Sequence, residues 1–97
     1  MSAYLIARVE ITNPERYQDY IRATPVVIAK FGGKFIARGG KVVNLEGPEE
    51  TRRVVIIEFP TLERAEAFFK SDEYKKVKQF RAGAAVGEFL LVDGVAP

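Results

Sequence analysis

Between Tyr4 and Ile11 apolar and polar positions alternate in a β-rich run, which predicts a half-buried strand ending at Asn13-Pro14. Asn13 suits a helix N-cap and Pro14 the first helical position. Tyr17, Tyr20, Ile21, Thr24, Val27, Ile28 and Phe31 then recur at three- and four-residue spacing, and Gly32-Gly33 supplies the stop. Pro25 falls inside this helix. It withholds an amide from the Ile21 carbonyl, costs about 3 kcal/mol unless the helix adjusts, and predicts a bend near Thr24. Lys34 to Leu45 reads as a long second strand, interrupted at Gly39-Gly40 by a bulge or a close backbone approach. A turn at Glu46 to Glu50 leads to the clearest strand pattern, Arg53 to Phe59. Thr61 caps a helix carrying Leu62, Ala65, Phe68 and Phe69, and Ser71 caps a shorter one through Tyr74, Val77 and Arg81. Gly83 ends it, Gly87 to Asp93 forms a last strand, and Gly94 to Pro97 is a tail.

The order βαββαβ, with an extra helical turn before the final strand, predicts an α+β ferredoxin-like fold. Its four-stranded antiparallel sheet runs 4-1-3-2 with the helices on one face. Period-two counting assigns Leu5, Ala7, Val9, Ile11, Val55, Ile57 and Phe59 to the helix-covered face. The other face then carries Tyr4, Ile6, Arg8, Glu10, Ile36, Arg38, Val54, Ile56 and Glu58. Burying its five apolar members at roughly 1.5–3 kcal/mol each would yield about 8–15 kcal/mol, comparable to the stability of a small domain. The expected partner is a second copy, joined sheet to sheet. Arg8, Glu10, Arg38 and Glu58 on that face would serve either as an ion network that sets register or as a polar site inside the dimer.

At 97 residues one domain over 1–97 is expected, and 47% hydrophobic with 29% charged residues is globular composition. The absence of both Cys and His changes the picture more. It excludes thiolate nucleophiles, disulfides, Cys- or His-ligated zinc, iron–sulfur clusters, a haem histidine and Ser-His-Asp chemistry. No metal site and no cofactor is implied, and any chemistry falls to carboxylates, Tyr, Lys, Arg or backbone groups. The charge of +2 is spread along the chain, so no nucleic-acid face is expected. The apolar runs are too short to span a membrane and the start lacks a signal pattern, which predicts a cytoplasmic protein without membrane attachment.

Several short segments together resemble a known family. They are Tyr17 and Tyr20, Phe31-Gly32-Gly33, Arg38-Gly39-Gly40, Glu46-Gly47, Glu58-Phe59-Pro60, and Ser71-Asp72-Glu73-Tyr74 with Arg81. In this order, over Tyr4 to about Asp93, they are similar to the domain-of-unknown-function family 1330 of the dimeric α/β-barrel superfamily. That resemblance implies a ferredoxin-like fold and a homodimer formed through the sheets, and it lends no reaction. Relatives elsewhere in the superfamily include cofactor-independent monooxygenases, muconolactone isomerases and haem enzymes, the last needing a histidine that is missing here.

The candidate binding residues are Tyr20, Arg38, Tyr74 and Arg81, since two phenols and two guanidinium forks suit a planar molecule bearing a carboxylate or carbonyl. The structural alternative makes the tyrosines core aromatics and Arg81 a helix C-terminal charge. Parity places Arg38 across the sheet from the helices, so convergence requires a re-aiming bulge or the dimer. Glu58, at the end of an apolar strand, is the candidate general base if desolvation raises its pKa. Two functions follow: a cofactor-independent enzyme acting on a small organic acid, carbonyl or aromatic compound, and a non-catalytic dimeric ligand-binding or stress-related module. RNA binding is disfavoured because the only aromatic of the third strand, Phe59, belongs to the helix face.

Overall fold

Each helix begins where a side-chain oxygen can satisfy a free amide. In the computed structural model, which describes residues 1–96, strand β1 (Ala3–Ile11) is followed by Asn13, whose side chain accepts from the Arg16 amide at 3.2 Å. Helix α1 (Pro14–Lys30) starts there. It runs on through Pro25 and closes at Gly32, whose φ of +81° and amide bond to the Ala29 carbonyl make the left-handed turn that a side chain would strain. Strand β2 (Lys34–Arg38) and strand β3 (Arg53–Phe59) follow. Thr61 caps α2 (Leu62–Lys70). The Ser71 hydroxyl then donates to the Phe68 carbonyl and accepts from the Tyr74 amide, so one side chain ends α2 and starts α3 (Asp72–Arg81). Strand β4 (Ala85–Asp93) completes the sheet, and Pro97 of the expected tail lies outside the described residues.

The sheet order is β2-β3-β1-β4, all neighbours antiparallel, which is the ferredoxin-like arrangement. Leu5, Ala7 and Val9 of β1 and Val55, Ile57 and Phe59 of β3 form the buried floor of the core. Tyr17, Tyr20, Val27, Ile28, Phe68 and Tyr74 pack onto it from the helices. The opposite face is open. Ile6 pairs with Ile56 on one side and Leu90 on the other, and Tyr4 pairs with Val92. Leu90 and Val92 are each 45% exposed. Strand β4 therefore extends the apolar face that β1 and β3 imply.

Two sequence expectations are corrected around β2. The strand stops at Arg38 and does not continue to Leu45. Gly39 turns the chain with φ +69°, its amide bonds to the Val54 carbonyl, and beyond it the excursion closes on itself through the Asn44 side chain, which accepts from the Glu50 amide. The bulge also sits earlier than Gly39-Gly40. Phe35 pairs with Ile57 and Arg38 with Val55, both core positions, while only Ala37 between them faces Ile56. Ile36 is the inserted residue. That single extra position turns Arg38 from the open face to the helix-covered face.

Candidate functional site

The bulge makes Arg38 part of a cleft between α1 and the sheet. Its floor is Ala7, Val9, Val55 and Ile57, its roof Tyr17, Tyr20, Ile21 and Thr24, and its rim Phe35, Arg38 and Arg53. Its cavity volume is only about 40 Å³ and its mouth is open to solvent, so a ligand larger than a water or two would extend past the rim. Small organic molecules bind in apolar clefts of this kind with a few convergent polar groups.

Arg38 is exposed yet held in place. Its Nη2 donates to the Ile21 carbonyl at 2.9 Å, and its guanidinium lies 4.2 Å from the centre of the Phe35 ring. The carbonyl it uses is the one that Pro25 leaves without a helical amide. One residue earlier, the Thr24 hydroxyl donates to the Tyr20 carbonyl.

Arg53 enters through strand parity. It pairs with Val9 and so shares the core face of β3 with Val55 and Ile57. Gly39 leaves it room, since a Cβ there would overlap the Arg53 guanidinium. The Arg53 Nε is buried without a hydrogen-bond partner.

Behind the cleft the other predicted residues meet. Tyr20 and Tyr74 share a hydroxyl–hydroxyl hydrogen bond of 2.7 Å, and Arg81 Nη2 donates to the Tyr74 hydroxyl at 3.5 Å. Arg81 is only 8% exposed and lies 4.4 Å from the Phe89 ring centre and 5.7 Å from that of Tyr20. Aromatic faces offset part of the cost of burying this charge. Among the described residues no carboxylate forms an ion pair with Arg38, Arg53 or Arg81. Burial pushes the Tyr17 hydroxyl above the ordinary phenol range, while Arg53, Arg81 and Arg38 pull against that rise. Burial and then the neighbouring Tyr74 raise Tyr20 much further. Both roof phenols are therefore neutral near pH 7 and act as hydrogen-bonding groups.

Of the expected binding set, Tyr20 and Arg38 line the cleft, and Tyr74 and Arg81 support Tyr20 from behind. Arg38 is not buried, and Arg81 is a core residue. The expectation that desolvation raises the Glu58 pKa is corrected. Glu58 lies in a separate groove with Ser2 and Lys34, and its pKa is lowered by hydrogen bonds from Ser2 and Lys34, which outweigh desolvation. The residues not anticipated for the site are Tyr17, Thr24 and Arg53. An arginine in register with Val55, Ile57 and Phe59 was the available signal for the last.

Among the described residues no three Asp or Glu side chains gather as a metal site, and no helix is long and apolar enough to cross a membrane. The profile of a domain of unknown function, DUF1330, matches residues 2–95. No curated protein matches the sequence. A protein of unknown function from Rhodopseudomonas palustris superposes with a TM-score of 0.76 at 22% identity, covering 99% of this chain and 84% of that one. SnoaB, a cofactor-independent oxygenase from Streptomyces nogalater, gives 0.70 at 11% identity, with 99% and 95% covered. A dimeric protein of unknown function and ferredoxin-like fold from Bacteroides fragilis gives 0.64 at 13%, with 96% of each chain covered. At these identities the likeness is one of fold.

Proposed function

We propose that this chain, which belongs to the DUF1330 family, holds a small organic acid or carbonyl-bearing aromatic compound in the cleft beneath α1, and does so as a homodimer joined through its open sheet faces. The observation that carries the reading is Arg38 and Arg53 at the rim of an apolar cleft, with no carboxylate among its lining residues. The buried Arg53 Nε without a partner is a cost that an anion at the rim would offset, and the planar forks of both arginines match a carboxylate. Tyr17 adds a neutral phenol for a carbonyl or second oxygen, while Tyr20 adds a ring whose hydroxyl is held by Tyr74.

The cleft offers donors and no general base. With no base in the cleft, a reaction here would need a ligand that enters already ionised, its proton lost to solvent, and the arginines would stabilise that enolate or phenolate. SnoaB, described as a cofactor-independent oxygenase, is a fold precedent for that enzyme reading. The missing base equally favours the second reading, a non-catalytic ligand-binding module.

The dimer rests on the open face of Ile6, Ile56, Leu90, Tyr4 and Val92, too apolar to leave in water. The fold neighbour described as dimeric is consistent with it. The bound species is accessible to native mass spectrometry of the purified protein. The expected result is a dimer carrying a small acidic adduct that Arg38→Met and Arg53→Met each lose. An adduct retained by both variants overturns the site.

A further inference from the structure

Helix α1 keeps a proline where its hydrogen-bond ladder would otherwise be complete, and the orphaned carbonyl is the one Arg38 uses. We propose that Pro25 is a positioning residue for the cleft. By withholding an amide from the Ile21 oxygen, it reserves that oxygen for Arg38 and so fixes the guanidinium at the rim.

The geometry supplies each link. Arg38 is exposed, and a free arginine of that kind samples many rotamers. Here two contacts restrain it, the 2.9 Å bond to Ile21 and the Phe35 ring beneath its plane. The first contact is favoured by a helix carbonyl that has lost its amide partner, since one of the oxygen's two lone pairs is then left to a donor from the cleft. In an ordinary helix that lone pair is engaged by the amide four residues on. Position 25 is that residue, and proline has no amide to give. The Ile36 bulge brings Arg38 to this face, and Pro25 provides the oxygen it finds there. A proline in a helix interior is destabilising, so its placement opposite the rim arginine marks a local rule broken at a site.

This inference rests on the cleft reading for its ligand consequence, and its structural half stands alone. The test is Pro25→Ala, examined by amide hydrogen exchange, by the Nε–H resonance of Arg38, and by titration with benzoate. The expected result is a slowly exchanging amide at position 25 and a melting temperature equal to or above wild type. The Arg38 Nε–H should exchange faster with solvent, and benzoate affinity should fall on the order of 3- to 10-fold. A residue with a purely structural role would not lower affinity while raising stability. A protected amide at 25 with Arg38 and affinity unchanged overturns the proposal, as does an amide at 25 that stays unprotected. If the variant fails to fold, Arg38→Met in the wild-type helix serves instead. The Ile21 carbonyl ¹³C resonance should shift on losing its donor, and no shift overturns the assignment. Failure of benzoate to bind wild type would count against the cleft reading, while the exchange measurements would still judge Pro25.

Discussion

Replacing Tyr20 by Phe removes one oxygen from a buried chain in which Arg81 donates to Tyr74 and the Tyr74 and Tyr20 hydroxyls are hydrogen-bonded to each other at 2.7 Å. The ring and its packing against Tyr17 remain. A hydrogen bond of this kind contributes about 1 kcal/mol net, and leaving the buried Tyr74 hydroxyl with only the 3.5 Å contact to Arg81 adds a fraction of a desolvation penalty. The expected loss is about 1–2 kcal/mol. For a domain of this size, each kcal/mol lowers the melting temperature by roughly 4–8 °C. Tyr74→Phe should cost more, about 1.5–3 kcal/mol, because it also strips Arg81 of its hydrogen-bond acceptor while that guanidinium stays buried. The double variant should be less destabilised than the sum of the two by about 1 kcal/mol, since each single change already breaks the shared bond. Urea unfolding of the four proteins reads all three quantities. A Tyr20→Phe protein within a few tenths of a kcal/mol of wild type, together with additive single changes, would refute the view that this chain of hydroxyls supports the cleft roof.

Three further outcomes follow from the same contacts. Ile56→Glu places an unpaired carboxylate at the centre of the open sheet face, between Ile6 and Ala37, and should convert a sedimenting dimer to monomer or unfold it; wild type sedimenting as a monomer at micromolar concentration would remove the dimer. Hydrogen bonds from the Arg52 guanidinium and then from the Arg52 backbone amide hold Glu50 down to about 2 from an ordinary 4.5. Its stabilising contribution is therefore complete above about pH 4.5 and is lost as pH falls through about 2, so Glu50→Gln should flatten the stability profile in that window, and an unchanged acid limb would contradict the assignment. EDTA should leave the melting temperature unchanged, and a drop of several degrees would expose a carboxylate metal site.

The element order, the sheet order and the core face were legible because strand parity and helix spacing repeat over many residues. Leu5, Ala7 and Val9 fall where period two puts them, and Asn13, Thr61 and Ser71 cap where their side chains can reach an amide. Arg38 was not placed correctly, because a bulge of one residue, Ile36, reverses the parity of everything after it and leaves no compositional mark. The glycine pair pointed to irregularity in the right strand but at the wrong position. Gly39 is instead the close approach, with the Arg53 guanidinium over it. The run from Lys41 to Leu45 is apolar enough to read as strand, yet β3 begins only at Arg53 and among the described residues no strand pairs with the run; Leu45 is 91% exposed. Glu58 was read from position alone, and its partners Ser2 and Lys34 come from elements that only the fold brings together. The Ile21 carbonyl was different. Its vacancy was readable from Pro25, and what fills it was not.

Anion recognition at the rim of the cleft underlies the proposed function. Small aromatic and aliphatic carboxylates, each paired with its neutral amide, can be titrated into ¹⁵N-labelled wild type, Arg38→Met and Arg53→Met protein while the amide and arginine Nε–H resonances are followed. Wild type should show saturable shifts confined to α1, β2 and the start of β3 for at least one carboxylate. Its amide should be weaker by on the order of tenfold or more, and both variants should lose the response. Equal binding of acid and amide, or shifts that survive both substitutions, would contradict it.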